Sequence, residues 1–176
     1  SDNICPSGIS YAEGLDVSTI LNEGLIAGMN VIGIRFKNGD VYVPEVLMSA
    51  RAMHKGLAVV KQLIVNAGIR EKGVVAIGTI KGDLHDIGKN LVIMMLEGSG
   101  YKVIDLGVDV PVEKFVQAIE EHHPQVIGIS ALLTTTMMKM KETVEKLQAY
   151  RDQVKIIIGG APVTAKFAQE IGADGY

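Results

Sequence analysis

The apolar positions of this chain change period near residue 70. Before that point the spacing is helical. Asp16 reads as the N-cap of a short helix bearing Ile20, Leu21 and Leu25. After Gly24 a second amphipathic segment runs through Ile26, Met29, Val31, Ile32 and Ile34 to Phe36. Lys37-Asn38-Gly39-Asp40 is a turn signal. Pro44 then opens a longer helix whose inward stripe is Val46, Leu47, Ala50, Met53, Leu57, Val60, Leu63 and Ile64, with Gly68 as its C-cap. Ser1 to Gly14 is a poor helix, interrupted by Pro6 and Gly8. Beyond a short connection, Ile69 to Gly73, β-branched runs alternate with helical stripes. Strands are expected at 74–80, 101–106, 125–130 and 154–159, and helices at 87–98, 112–122, 137–150 and 163–171. Crossovers of that length imply a parallel sheet with helices on both faces. A fifth strand is expected to begin within Gly172-Ala173-Asp174-Gly175-Tyr176, so the last strand and helix read as missing. The expected organisation is a small helical bundle over 1–70 and an α/β domain over 71–176.

Composition narrows the class. A hydrophobic share of 48% against 21% charged residues is the balance of a soluble globular protein. The net charge of -3, with lysines scattered singly, leaves no basic stripe for phosphates and argues against a nucleic-acid partner. No apolar run is read as approaching the roughly 20 residues that span a bilayer, and no signal peptide is visible. The expectation is a cytoplasmic protein without a membrane partner. Cys5 is the only cysteine, which excludes an internal disulfide. The eight methionines read as core filling. His54 reads as solvated, and His122-His123 as compensation of a helix dipole before Pro124.

The candidate chemistry lies in Asp83-Leu84-His85-Asp86-Ile87-Gly88, between the first strand and its helix. Ligands of parallel α/β sheets bind outside the carboxyl ends of the strands, where His85 is expected to stand. Imidazole is a strong metal ligand, and Asp83 is placed to fix its tautomer through the second nitrogen. Gly88, three residues on, suggests something bulky passing close to the backbone. Taken alone, His85 could equally be a surface or capping histidine, and Asp83 and Asp86 could simply favour the positive end of the helix.

Three motifs at strand ends, together with the upstream bundle, carry a resemblance. They are Asp83-x-His85-x-x-Gly88, then Ser130-Ala131-Leu132 running on as Leu133-Thr134-Thr135-Thr136, then Gly159-Gly160. The segment Pro44 to Ala52 adds to it. Together they resemble the cobalamin-binding corrinoid proteins of methyltransferase systems, and the cobalamin module of methionine synthase. The resemblance implies a flavodoxin-like (Rossmann-like) domain of five parallel strands under a helical cap. It implies cobalamin (methylcobalamin, cob(I)alamin or a related corrinoid) as cofactor, with its benzimidazole tail off the metal and threaded into the sheet. His85 would then be the lower axial cobalt ligand. Gly82, Asp83, Leu84, Asp86, Ile87 and Gly88 would line the cofactor from the first loop. Ser130, Leu132, Thr134, Thr136, Gly159, Gly160 and Ala161 would follow the tail, with Gly88, Gly128, Gly159 and Gly160 keeping its route thin. Thr136 would extend the His85–Asp83 relay, and protonation of that pair would favour release of the metal. Phe36, Val43 and Val46 would cap the upper face, although each could equally be bundle core.

The implied function is a methyl carrier with no complete catalysis of its own. A substrate-specific methyltransferase would load cobalt(I), an acceptor methyltransferase would unload the methylcobalt(III) form, and a reductive activase would restore it. The alternatives are a methionine synthase domain, an adenosylcobalamin mutase subunit, and a cobalamin-based sensor. Mutase subunits usually lack the upstream bundle, which weighs against the second. A flavodoxin-like module with no corrinoid is the bland alternative.

Overall fold

The structure is a computed structural model that describes residues 14–67 and 71–176. Cys5, the glycine- and proline-containing start of the chain, the Gly68 cap and Ile69 lie outside the described residues. The described chain forms two compact units. One holds the residues up to Glu71 together with Met94–Gly100, the other Lys72–Ile93 and Tyr101–Tyr176.

The helical unit differs from expectation at its start. One continuous helix, α1 (Val17–Lys37), replaces two segments broken at Gly24. Its Ile20–Ile26 stretch is wound as a π-helix, which absorbs Gly24 without a break. Asp16 caps it as expected, accepting from the Thr19 amide at 3.0 Å. The second helix, α2 (Val43–Asn66), opens with half of a capping box: Glu45 accepts from the Tyr42 amide at 3.0 Å. Val17, Ile20 and Val60 form one buried cluster, and Met29, Ala50 and Met53 another. By length and composition α1, 21 residues long, also contains an 18-residue window apolar enough to cross a membrane, with a mean hydropathy of 1.4. That corrects the expectation of no such run: Glu23 is the only charge between Val17 and Ile34, and Arg35 and Lys37 come only at the helix end.

The other unit is built on β1 (Val74–Ile80), the first half of α3 (Ile87–Gly98, whose residues from Met94 group with the helical unit), β2 (Lys102–Val110), α4 (Val112–His122), β3 (Val126–Ser130), α5 (Met137–Leu147), β4 (Lys155–Gly159) and α6 (Ala165–Ile171). The strands pair in parallel in the order β2-β1-β3-β4. The strand after β1 lies on one side of it and the third on the other, so the topology reverses between β1 and β3. That reversal opens a crevice at their carboxyl ends. Phe115, Ile119, Ile127, Met140, Val144, Leu147 and Ile156 are each at most 1% exposed and form the core with α4, α5 and α6.

β2 runs four residues past its expected end at Leu106. Gly107 (φ +87°) and Asp109 (φ +53°) bulge the strand, yet pairing resumes at Gly78↔Gly107 and Ile80↔Val110. Gly107-Val108-Asp109 has turn composition, which is why sequence ends the strand early. At the far edge, Gly175 bridges Ile157 in parallel and the Asp174 amide donates to Ile156 at 2.7 Å. Residues 174–175 thus lie along β4 where the fifth strand is expected.

Candidate functional site

The loop after β1 reverses at once. The Asp83 amide donates to the Ile80 carbonyl at 3.1 Å, with Gly82 at φ +85° in the left-handed conformation that glycine accepts freely. Asp83 is completely buried there, and its carboxylate is the hub of the site. Oδ1 accepts from the His85 amide at 3.0 Å and from His85 Nδ1 at 2.7 Å. Oδ2 accepts from the Leu132 and Leu133 amides at 2.7 and 3.1 Å, on the loop after β3. The Thr136 hydroxyl lies 3.2 Å from Oδ2 and 2.8 Å from the Leu133 carbonyl, and its single proton serves one of them at a time.

Burial by itself would push the Asp83 carboxyl up. The amides of His85 and Leu132, the imidazole and the Leu133 amide outweigh it and hold the pKa far below the usual carboxylate range. Asp83 therefore stays ionised, and the proton it shares with His85 resides on Nδ1. That tautomer leaves the lone pair of neutral imidazole on Nε2. His85 has half of its side chain exposed (51%), and among the described residues Nε2 has no partner.

Around His85 the surface is apolar. Leu84 is 71% and Ile87 80% exposed on one loop, and Leu132 and Leu133 are 43% and 39% exposed on the next. Large exposed aliphatic side chains beside a free imidazole nitrogen form an apolar ledge, against which the flat face of the corrin ring implied by the resemblance would fit. The donor set suits a corrinoid, and the residues present fit the group.

The remaining expected residues divide. Asp86 caps α3 through its carbonyl, 2.7 Å from the Asn90 amide, and its carboxylate receives the Asn90 side chain at 2.9 Å. Gly88 and Gly159 face open space where a Cβ would stand, so both leave room for a ligand. Gly160 is different: at φ +136° its Cβ would fall 1.6 Å from the Ala131 carbonyl oxygen. It permits the loop after β4 to close on the loop after β3, where the Ala131 amide donates to Gly159 at 2.9 Å. Gly128 does not thin a ligand route, because its missing Cβ is replaced by the packed side chain of Ile77. Ser130 is half-buried and makes no side-chain hydrogen bond among the described residues, while Thr134 and Ala161 are exposed. In the helical unit Phe36 and Val43 keep exposed surface, whereas Val46 is fully buried. His54 is not merely solvated: its Nε2 lies 3.4 Å from Glu97.

Sequence reading missed four residues that hold the loop. The hydroxyl of buried Thr79 donates to the His85 carbonyl at 2.9 Å. Lys89, its side chain 1% exposed, reaches Asp105 at 2.6 Å and Asn90 at 2.8 Å. Asp109 accepts from the Gly82 amide at 2.7 Å and donates its own amide to Asp83 at 3.0 Å. A lone lysine beside Gly88 was the one legible signal, since Asp105 and Asp109 meet partners 16 and 27 residues away and Thr79 reads as an ordinary strand residue.

The B12 binding domain profile matches residues 73–176, and a second B12 binding domain profile matches residues 10–61. The chain belongs to the B12-binding corrinoid proteins. It is 46% identical to a corrinoid protein of Desulfitobacterium hafniense over 169 residues, which span 93% of this chain and 78% of the relative. It is 45% identical to the dimethylamine corrinoid protein of Methanosarcina barkeri, over 96% of this chain and 81% of that one. The trimethylamine corrinoid protein of the same organism is also 45% identical, over 95% and 79%. Among solved structures, a cobalamin-binding protein of D. hafniense superposes with a TM-score of 0.80 at 33% identity, covering 96% of this chain and 81% of that chain. The methanol:cobalamin methyltransferase complex of M. barkeri gives 0.82 at 34%, covering 96% and 66%. In this B12-binding chain the second profile falls on the helical region upstream of the sheet, the feature that weighs against a mutase subunit.

Proposed function

We propose that this protein is a corrinoid methyl carrier that works between methyltransferases. One partner loads a methyl group from a specific substrate, and a second passes it to an acceptor. Bound cobalamin supplies a cobalt centre that accepts and gives up a methyl group, so the hard chemistry belongs to the cofactor. The observation that carries the reading is the state of His85: Nδ1 is locked to an ionised, buried carboxylate while Nε2 is free and half-exposed beside an apolar ledge.

The chain's residues then have separate tasks. His85 Nε2 would be the lower axial ligand. Asp83 fixes its tautomer and orientation. Thr136 and the Leu132 and Leu133 amides hold Asp83 in turn. Gly88, Gly159 and Ser130 are proposed to border the benzimidazole tail, and Leu84, Ile87 and Leu132 to carry the underside of the corrin. A reductive activase is a further proposed partner, which would return an electron whenever the cobalt is oxidised out of its methyl-accepting state.

The test is reconstitution with hydroxocobalamin, followed by the visible spectrum of the parent and of His85→Ala. The expected result is a histidine-ligated, benzimidazole-off spectrum that the substitution abolishes. Uptake with the benzimidazole still on the metal, or no uptake at all, defeats the reading.

A further inference from the structure

β2 lies beside β1 and ends next to the loop that carries His85, and it grips that loop on both sides of the imidazole. Downstream, Asp105 holds buried Lys89 of α3. Upstream, the contact is made by Asp109, whose backbone sits at φ +53°. A residue with a Cβ is strained in that region, although Asp tolerates it better than most. The conformation brings two groups of Asp109 onto the loop. Its Oδ1 accepts from the Gly82 amide at 2.7 Å and its amide donates to the Asp83 carbonyl at 3.0 Å. Gly82 and Asp83 form the turn from which the His85 side chain is presented. The Thr79 hydroxyl on the His85 carbonyl completes the support from β1.

We infer that Asp109 is a positioning residue for the axial histidine. It touches neither His85 nor the proposed ligand position of Nε2. It sets the Gly82-Asp83 turn, and through the turn the place and direction of the imidazole. The inference rests on the corrinoid-carrier reading and assigns it one more residue. The left-handed backbone is its physical signature, because a strained conformation persists where the surroundings over-determine it. Glycine at this position would adopt the same φ at no steric cost and still lose the carboxylate. Asparagine would keep both an acceptor oxygen and tolerance of the left-handed region.

The experiment measures hydroxocobalamin affinity by equilibrium dialysis for Asp109→Gly and Asp109→Asn, each in the parent and in a His85→Ala background. Asp109→Gly is expected to weaken binding about 3- to 10-fold in the parent, the worth of one hydrogen bond. In the His85→Ala background its effect is expected to fall within about 2-fold, because a residue acting through the imidazole has nothing left to position. Asp109→Asn is expected to bind within about 2-fold of the parent. An Asp109→Gly variant that binds like the parent overturns the inference. So does an equal loss in both backgrounds, which marks a general structural role or direct contact with the corrinoid. Asparagine behaving like glycine overturns it as well. The carrier reading fails separately, and visibly, if the parent itself shows no histidine-ligated spectrum.

Discussion

Asp83→Asn tests the central element of the site in the corrinoid-free protein. The substitution keeps the shape and removes one acceptor oxygen. If the new amide nitrogen takes the place of Oδ2, the Leu132 and Leu133 amides, at 2.7 and 3.1 Å, face a donor in place of an acceptor. The Thr136 hydroxyl escapes, since it can turn to the Leu133 carbonyl at 2.8 Å and accept from the new amide. Two part-buried donors left without partners cost up to about 1–3 kcal/mol each, so the expected loss at pH 7 is about 2 kcal/mol and at most about 6. That is a large share of the ~5–15 kcal/mol that holds a typical domain. Its pH dependence has a definite sign. The Asp83 carboxyl titrates well below its usual value in the folded protein, so its contribution is complete at neutral pH. It declines only as the pH falls below about 4, where the unfolded chain takes up the proton first, by up to about 1.4 kcal/mol per unit. Asparagine has nothing to lose there. Urea unfolding followed by circular dichroism at pH 7, 5, 4 and 3.5 should therefore show a gap between parent and variant that narrows with acid. The depressed carboxyls of Asp16, Asp105 and Asp174 are common to both chains and cancel. A gap under about 1 kcal/mol at pH 7, or one that stays constant into acid, would refute the reasoning.

Two glycines should separate fold from binding. Gly160→Ala, whose Cβ would sit 1.6 Å from a carbonyl oxygen, is expected to cost more than about 3 kcal/mol in urea unfolding. Gly159→Ala, which meets nothing within 4 Å, should leave stability within about 1 kcal/mol and weaken hydroxocobalamin uptake measurably. The Lys89–Asp105 pair should be asymmetric, because the side chains are 1% and 46% exposed. Asp105→Ala strands a buried ammonium and is expected to cost about 3–5 kcal/mol. Lys89→Met leaves a solvated carboxylate and should cost about 1. The reverse order in chemical denaturation would show that the burial argument is wrong.

The linear order of residues determined much of this protein. Period-2 and period-3.6 patterns are local properties, so the alternation of strands and helices from Val74 onward was readable, as was a histidine at the end of β1 with Asp83 two residues before it. The Asp16 cap was legible for the same reason, since its partner is Thr19. What escaped was non-local. Gly24 reads as a break, yet the winding of α1 carries it through as a π-turn. Gly107 and Asp109 read as a turn, yet pairing with β1 extends the strand past them. The buried Asp83 carboxylate meets the Leu132 amide across 49 residues, and Asp109 meets Gly82 across 27. Those meetings depend on which strands are neighbours and in what register, and hydrophobic period carries neither piece of information. Only the parallel order β2-β1-β3-β4 sets the loops after β1 and β3 side by side and lays the end of β2 against the first. The histidine was therefore written in the chain, while the network that turns Nε2 outward with its lone pair free exists only once the sheet has assembled.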